Sequence, residues 1–277
     1  MILVTGATGN VGREVVHALA ARAQPVRAIA RSAGQAPFPE GVDVASGDVT
    51  QPDTLADALA GIRQVFLLGT FATAELLGTI RDAGVEHVVL LTSRCVVDGR
   101  PDNAITGMWL DAEAAVRESG VPWTILRPSG FHSNALRWLP QLGQGDVVQA
   151  PWPDVAIASI DPADIAAVAA TVLTEPGHEH TTPTLSGPQP VTPGAQVATL
   201  AQVLDRPLRY DPLADDDARA QMQADTPPDF IDAFFRFFTD GEFDDSAVVD
   251  TVERLTGRPP RTFEQWAHSH ADAFTPG

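Results

Sequence analysis

The chain has 277 residues, of which 44% are hydrophobic, so it is long enough to bury a core in one large domain or two modest ones. Its net charge of −18 argues against non-specific binding to nucleic acid and against adsorption to anionic membranes. A single cysteine excludes an intrachain disulfide framework. The chain opens in an apolar strand rather than a signal peptide and has no apolar run long enough to span a bilayer. These features predict a soluble, cytoplasmic protein with neither nucleic acid nor a membrane as its partner.

The first twelve residues predict a dinucleotide-binding strand–turn–helix unit. An apolar run at residues 2–4 is followed by Gly6, Gly9 and Gly12, and then by residues 13–21, whose apolar side chains recur at helical period. Gly6 permits a tight turn, Gly9 lets a pyrophosphate approach the backbone, and Gly12 lets the helix pack closely on the strand. A glycine-rich turn without a ligand is the less favoured alternative. The residues expected to bind the cofactor here are Gly6, Thr8, Gly9, Asn10, Val11, Gly12 and Arg13.

Arg31 follows the second predicted strand, where NAD-preferring sites carry an acidic residue for the ribose 2′-hydroxyl. Guanidinium groups bind phosphate through two hydrogen bonds, so Arg31 and Arg13 favour the 2′-phosphate of NADP(H), with NAD(H) as the alternative cofactor. Either arginine could instead be a solvated surface charge. Asp48, after the third strand, is interpreted equally well as an acceptor for the adenine amino group or as a helix cap.

Strands and helices alternate six times up to residue 127, which predicts a Rossmann-type, doubly wound parallel α/β sheet. The predicted strands are residues 2–4, 25–30, 42–49, 65–68, 86–92 and 122–127, and the predicted helices are 13–21, 54–60, 71–83 and 111–119. The carboxyl ends of such strands face the cofactor. We therefore also expect it to contact Gly69, Thr70, Thr92 and Pro128.

The pattern is less regular after residue 128. It predicts a helix at 135–142, a strand at 155–160, a helix capped by Asp161 with Pro162 in its first turn, and a last strand at 181–186. A phenylalanine-rich helix at 230–238 is apolar on almost every side, so it should be buried or line a pocket. The expected organisation is an NADP-binding Rossmann domain, residues 1–128 plus 161–187, and a small C-terminal α/β substrate-binding region, residues 129–160 plus 188–277.

A set of segments carries a family resemblance. It comprises the glycine loop, the strand end Thr92-Ser93, Glu113 with residues 119–128 (Ser-Gly-Val-Pro-Trp-Thr-Ile-Leu-Arg-Pro), residues 161–166 (Asp-Pro-Ala-Asp-Ile-Ala) and residues 256–266. Together they resemble the NmrA-like group of atypical short-chain dehydrogenases/reductases, and residues 256–266 look like actinobacterial members of that group. The resemblance implies a Rossmann domain with NADP(H) held between it and a C-terminal substrate region. Some relatives reduce quinones or ketones, including aromatic-polyketide ketoreductases of the angucyclinone, simocyclinone type, whereas others bind dinucleotide without turnover and act as redox-sensing regulators.

The chain departs from the wider superfamily at the proton donor. Most short-chain reductases use a Tyr-x-x-x-Lys pair, and with Glu113 as anchor those two positions fall near Ile105 and Trp109, neither of which can deliver a proton. The chain has no lysine, and its one tyrosine, Tyr210, lies far along the sequence. The proton must therefore come from another side chain, from water or from the substrate.

Ser93 and His132 are the candidate catalytic residues. Ser93 stands at the predicted end of the fifth strand and could hydrogen-bond a substrate carbonyl, or simply form a turn. His132 follows the sixth strand and could act as an acid near neutral pH, or be a structural histidine. His178 and His180 flank Glu179 without a third ligand, so no metal site is expected.

Aromatic residues are expected to wall a flat substrate pocket, although core packing is the alternative for each of them. The expected substrate-binding residues are Trp109, Phe131, His132, Trp138, Trp152 and Phe234. Together these features predict an NAD(P)H-dependent ketoreductase or quinone reductase that acts on a polycyclic aromatic ketone, in antibiotic biosynthesis. The alternatives are a non-catalytic NADP(H) sensor that binds a protein partner and a non-redox enzyme with a fixed cofactor.

Overall fold

The computed structural model of the protein describes residues 1–30 and 38–274. In chain order the strands are β1 (Ile2–Val4), β2 (Val26–Ala30), β3 (Asp43–Ser46), β4 (Gln64–Leu68), β5 (His87–Leu91), β6 (Trp123–Pro128), β7 (Val147–Ala150), β8 (Thr184–Leu185) and β9 (Arg209–Pro212). The helices are α1 (Asn10–Ala21), α2 (Ala56–Leu59), α3 (Ala74–Asp82), α4 (Cys95–Asp98), α5 (Ala104–Glu118), α6 (Leu139–Leu142), α7 (Pro162–Thr174), α8 (Pro193–Val203), α9 (Asp215–Met222), α10 (Pro228–Phe238), α11 (Thr251–Thr256) and α12 (Phe263–Ser269).

Seven parallel strands form the main sheet in the order β3-β2-β1-β4-β5-β6-β8, which confirms the predicted doubly wound Rossmann fold. The strand order reverses between β1 and β4, and in such sheets ligands bind outside the carboxyl ends of the strands at that point. The register pairs Leu68 with Leu91 at the ends of β4 and β5. The residues after these two strands therefore leave the sheet at the same edge.

The two faces of the sheet are covered by separate helical layers. One core joins β1 and β2 to α1, α7 and α11, and the other joins β4 and β5 to α2, α3 and α5. Helix α7 is buried along almost its whole length, and its N-cap Asp161 accepts a hydrogen bond from the Ala163 amide at 2.8 Å, as predicted. This sandwich holds the glycine loop and the strand ends in fixed positions.

A smaller C-terminal group of elements lies beside the sheet. Strands β7 and β9 form a second, two-stranded parallel sheet that packs with α8 and α12 around the fully buried Trp266. Helix α10 packs against α5, where the Asn103 amide donates to the Ala233 carbonyl at 3.1 Å. Helix α10 is thereby fastened over the carboxyl edge of the main sheet.

Three predicted elements differ from the structure. The segment at 155–160 is not a strand, because Ile157 pairs antiparallel with Val191 whereas Ile160 pairs parallel with Phe131, so no ladder can extend. The segment at 135–142 is a 3-10 helix, His132–Trp138, continued by the short α6. Helix α5 starts seven positions earlier than predicted because the Asn103 side chain caps it by accepting from the Ile105 and Thr106 amides.

No helix within the described parts of the chain is long and apolar enough to cross a membrane.

Candidate active site

The glycine loop adopts the conformation that a dinucleotide requires. Gly6 has a φ of 58°, and its amide oxygen accepts from the Gly9 amide at 2.9 Å. A Cβ on Gly12 would collide with the Gly6 carbonyl oxygen, so only glycine lets α1 approach the turn this closely. Gly9 is the N-cap and has no side chain with which to occupy the amides of the first helical turn. Those amides and the positive end of the helix dipole suit a pyrophosphate.

A cavity of about 620 Å³ opens beside this loop. It extends from the glycine turn, across the carboxyl ends of β4, β5 and β6, to the phenylalanine face of α10. Of the predicted cofactor residues, it brings together Gly6, Gly9, Asn10, Val11, Gly12, Gly69, Thr70, Thr92 and Pro128. Of the predicted catalytic and substrate residues, it brings together Ser93, Trp109, Phe131, Trp152 and Phe234.

Five of the predicted residues that the structure describes lie elsewhere, namely Thr8, Arg13, Asp48, Trp138 and His132. Thr8 does not line the cavity, and Arg13 borders a separate small cleft beside α1 with a long 3.9 Å ion pair to Glu14. Asp48 accepts from the Thr50 amide at 2.9 Å and from its hydroxyl at 2.7 Å, which is a local turn. Trp138 packs into the C-terminal core around Trp266. Arg31, a further predicted cofactor residue, lies outside the described residues.

His132 does not face the cavity and is a structural residue in this fold. Its Nδ1 accepts from the Ser159 hydroxyl at 2.9 Å, and its Nε2 donates to the Arg261 carbonyl at 3.3 Å. The ring also packs edge-on against Phe263 with 5.4 Å between centroids. Burial lowers the pKa of His132 to about 4, so the imidazole is neutral at neutral pH. The expectation that it acts as an acid on the substrate is therefore corrected.

The Ser93 hydroxyl faces the cavity at the end of β5. Its Oγ accepts from the Cys95 amide at 3.3 Å, and the hydroxyl also hydrogen-bonds the Cys95 thiol, a weak partner that a ligand oxygen can replace. The neighbouring Thr92 hydroxyl is engaged, because it donates to the buried Glu113 carboxylate at 3.1 Å. Ser93 is therefore better placed than Thr92 to donate to a substrate oxygen.

Glu113 joins the ends of β5 and β6, because its carboxylate accepts hydrogen bonds from Thr92 and from Arg127. This fully buried carboxylate accepts two hydrogen bonds from Arg127, at 2.8 and 2.6 Å, and one from Arg117 at 2.7 Å. Burial raises the pKa of Glu113, but the two guanidinium groups outweigh burial and hold the pKa below its usual value. The group is thus an anionic anchor of the scaffold, separate from the reacting centre.

Sequence reasoning missed a buried carboxylate on the cavity wall, Asp245. It accepts from the Gly130 amide at 2.9 Å and from Arg94 at 3.3 Å, which ties the segment after α10 to the ends of β5 and β6. Burial raises the pKa of Asp245. No signal in the sequence marks this residue, because its partners lie 115 and 151 positions away.

Aromatic side chains form the far wall of the cavity. Phe230, Phe234, Phe237 and Phe238 of α10 line it, and Trp152 packs on Phe238 with 4.9 Å between ring centroids. Trp152 has a φ of 58°, and its indole nitrogen donates to the Thr239 hydroxyl at 2.9 Å, which fixes the ring. Trp109 of α5 also lines the cavity. Such a wall suits a flat, conjugated ligand.

Tyr210 does not take the place of the tyrosine in the Tyr-x-x-x-Lys pair of most short-chain reductases. Tyr210 donates to the Ala150 carbonyl at 2.8 Å in the small sheet and does not line the cavity. Among the described residues, no group of three or more His, Cys, Asp or Glu side chains could hold a metal ion.

Comparisons with known proteins agree with this geometry. A family model described as NAD(P)H-binding matches residues 6–176. The chain is 42% identical, over 100% of both chains, to a Streptomyces griseus protein named (4-alkanoyl-5-oxo-2,5-dihydrofuran-3-yl)methyl phosphate reductase. It is 35% identical, over 99% of both, to an NAD(P)H azoreductase of Xenophilus azovorans. Its structure resembles that of the Escherichia coli NADPH-dependent quinone oxidoreductase QOR2 complexed with NADPH, with a TM-score of 0.79, 27% identity, and coverage of 98% of this chain and 100% of the other.

The expectations of an NAD(P)(H) cofactor and of an oxidoreductase are confirmed by these relatives. The family match, the glycine loop and the strand-end cavity lead to one assignment. The chain belongs to the NAD(P)H-binding, NmrA-like group of atypical short-chain dehydrogenases/reductases.

Proposed function

We propose that the protein is an NADPH-dependent reductase of a planar, conjugated carbonyl compound, either a polycyclic aromatic ketone or a quinone. The observation that carries this proposal is the single cavity that runs from the glycine loop to the aromatic face of α10. A ligand that stacks on Phe234 and Trp152 would lie next to the carboxyl ends of β4, β5 and β6. The nicotinamide end of a bound dinucleotide would reach the same place. Apolar walls with a few polar groups are typical of sites for flat small molecules.

The cofactor site fits a dinucleotide on the evidence of this chain's own backbone. The cradle that a Cβ on Gly12 would fill, and the uncapped start of α1, would hold the pyrophosphate. When bound, the nicotinamide supplies hydride to the substrate. The preference for NADPH over NADH is supported by the relative QOR2, which is described as NADPH-dependent, and not by Arg13, which borders a separate cleft.

The protein's own contribution to the reaction is binding and polarisation. Ser93 donates a hydrogen bond to the substrate carbonyl oxygen and stabilises the charge that develops there. The proton that completes the product comes from water or from a phenol next to the carbonyl, because neither a tyrosine nor a lysine reaches the cavity. The aromatic wall excludes bulk water from one side of the substrate.

The named activities of the relatives support this proposal. They are described as acting on a furanone carrying a ketone side chain and a phosphate ester, on azo compounds and on quinones. These acceptors share a planar, electron-poor conjugated system. A role in antibiotic biosynthesis and a cytoplasmic location stay predictions.

The test is to mix the purified protein with NADPH and a panel of 1,4-naphthoquinone, 9-fluorenone and 1-tetralone, and to follow the nicotinamide absorbance. We expect substrate-dependent oxidation by at least one member and slower oxidation of NADH. Tight NADPH binding without oxidation by any member would contradict the proposal. It would favour the alternative, a non-catalytic sensor, which the absence of the Tyr-x-x-x-Lys pair also fits.

A further inference from the structure

Arg137 is an exposed cation that lines the cavity and pairs with no carboxylate of the described residues. Most arginines that the structure describes form ion pairs, as expected for a chain with 18 basic and 36 acidic side chains. The guanidinium of Arg137 makes neither an ion pair nor a hydrogen bond with any residue in 1–30 or 38–274. The other charge that lines the cavity, Asp245, is engaged by Arg94 and by the Gly130 amide.

Asn134 adds a second hydrogen-bond donor next to Arg137. Residues three apart are eclipsed in a 3-10 helix, so Asn134 and Arg137 share one face of the helix His132–Trp138. Both line the cavity, and the side-chain amide of Asn134 also makes no hydrogen bond with the residues that the structure describes. An adjacent face of the same helix is engaged by α1, since the Ser133 hydroxyl accepts from Asn10 at 3.4 Å.

The helix that carries these donors is held rigidly. The buried His132 ring bridges the Ser159 hydroxyl and the Arg261 carbonyl, and the His132 amide donates to the Ile160 carbonyl at 2.9 Å. Because the helix is fixed, binding a ligand orders only these two side chains and adds no cost for ordering the backbone. Both side chains are exposed, so water competes with a ligand for them, but a charge-assisted hydrogen bond from the guanidinium is still stronger than one from a neutral donor.

We propose that Arg137, assisted by Asn134, forms a subsite for an anionic group of the substrate, a phosphate, sulfonate or carboxylate attached to the conjugated ring system. The inference rests on the proposed function, because the ring system is the part that the aromatic wall holds. The cavity therefore selects a flat ligand with one charged end. Arg137 determines which substrates are used, and Ser93 acts on the carbonyl.

The experiment compares 1,4-naphthoquinone with 1,4-naphthoquinone-2-sulfonate, which differ by one anionic group. For each, kcat/KM is measured with NADPH in the wild type, in Arg137→Leu and in Arg137→Lys. We expect the ratio of sulfonated to neutral kcat/KM to fall about tenfold or more in Arg137→Leu, since charge-assisted hydrogen bonds are the strong ones. Arg137→Lys should restore part of the ratio. Arg209→Leu is the matched control, because it removes an exposed arginine on β9 and changes the net charge equally.

Two results would overturn the proposal. One is an unchanged ratio in Arg137→Leu. The other is an equal loss for both quinones accompanied by weaker NADPH binding, which would make Arg137 a cofactor residue.

Binding is measured separately from turnover, by titrating the sulfonated and neutral quinones into the protein loaded with NADP+ and following tryptophan fluorescence. Tighter binding of the sulfonate that is lost in Arg137→Leu would support the subsite even if no quinone is reduced. Equal affinities in the two proteins would contradict it, whatever the turnover. The failure of the subsite is thereby distinguished from the failure of the reductase proposal.

Discussion

Ser93 is the hydroxyl through which the protein is expected to act on a carbonyl. The Thr92 hydroxyl donates its hydrogen bond to Glu113. Asp245, the carboxylate that lines the cavity, accepts from Arg94 and from the Gly130 amide. Ser93 accepts from the Cys95 amide and otherwise hydrogen-bonds the Cys95 thiol, which is a weaker partner than a carboxylate. A single hydrogen-bond donor polarises the carbonyl without supplying the proton. Ser93 should therefore account for only part of the rate enhancement.

Ser93→Ala is expected to lower kcat about tenfold with 1-tetralone, because it removes a single hydrogen bond to a developing charge. The loss should be smaller with 8-hydroxy-1-tetralone, whose own phenol donates to the same oxygen. Steady-state kinetics with the two ketones test this difference. A loss of several hundredfold with both ketones would instead identify Ser93 as the proton donor.

His132 should make the stability of the protein depend on pH. Its pKa is lowered by burial from 6.5 to about 4, so the unfolded state binds the proton more tightly between those pH values. Stability is therefore complete above pH 6.5 and is lost as the pH falls towards 4. The size of the shift corresponds to a loss of roughly 2 kcal/mol between pH 7.5 and pH 5.

The measurement is urea unfolding at pH 7.5 and at pH 5 for the wild type and for His132→Gln, which cannot titrate. The variant should be less stable at pH 7.5 and should lose less stability on acidification. An identical pH dependence in both proteins would show that His132 does not carry the effect.

At the scale of single elements, helix α10 both lines the cavity and packs in the core. Its sequence alone does not show which phenylalanine does which. Phe234 and Phe238 face the cavity, whereas Phe235 is buried behind Trp152 and beneath the Arg219 guanidinium, which lies 3.9 Å from the ring centroid. The nearly continuous apolar pattern of the helix predicted burial or pocket lining, and the structure shows both. The exposure of each ring depends on Trp152 and α5, which lie far away in the sequence.

Phe234→Ala is expected to raise KM for the aromatic substrate about tenfold and to leave the unfolding free energy nearly unchanged, because it removes apolar area that the ligand covers. Phe235→Ala is the matched control of the same type. It should lower the unfolding free energy by about 3 kcal/mol, since it leaves a cavity in a packed core. Substrate titrations and urea denaturation of both variants measure the two effects. Equal KM values in wild type and Phe234→Ala would contradict the proposed stacking wall.

At the scale of the whole molecule, the sequence predicts the Rossmann sheet well because local signals determine it. Each buried strand is a short apolar run, and each is followed by a turn and a helix, so the strand ends Gly69, Thr92 and Pro128 could be identified as cavity residues. The three-residue spacing of Gly6, Gly9 and Gly12 was enough to predict the conformation of the glycine loop. The division at residues 1–128 plus 161–187 and 129–160 plus 188–277 stays a prediction.

The C-terminal part was harder to predict because long-range contacts determine it. The parallel pair β7–β9 joins residues 62 apart, such as Val147 and Arg209, and neither strand is long enough to show a period. The burial of His132 depends on Ser159 and Arg261. Nothing local distinguishes such a histidine from a catalytic one, and nothing local marks Arg137 as unpaired.

The central claim is that hydride passes directly from NADPH to a carbonyl carbon in this cavity. The most direct measurement is to reduce 9-fluorenone with NADPH deuterated at C4 of the nicotinamide and to analyse the product by mass spectrometry and NMR. The account predicts a product alcohol with one deuterium on the former carbonyl carbon. It also predicts transfer from only one of the two C4 faces, because a single fixed site holds both reactants. An alcohol without deuterium from either labelled cofactor would contradict it.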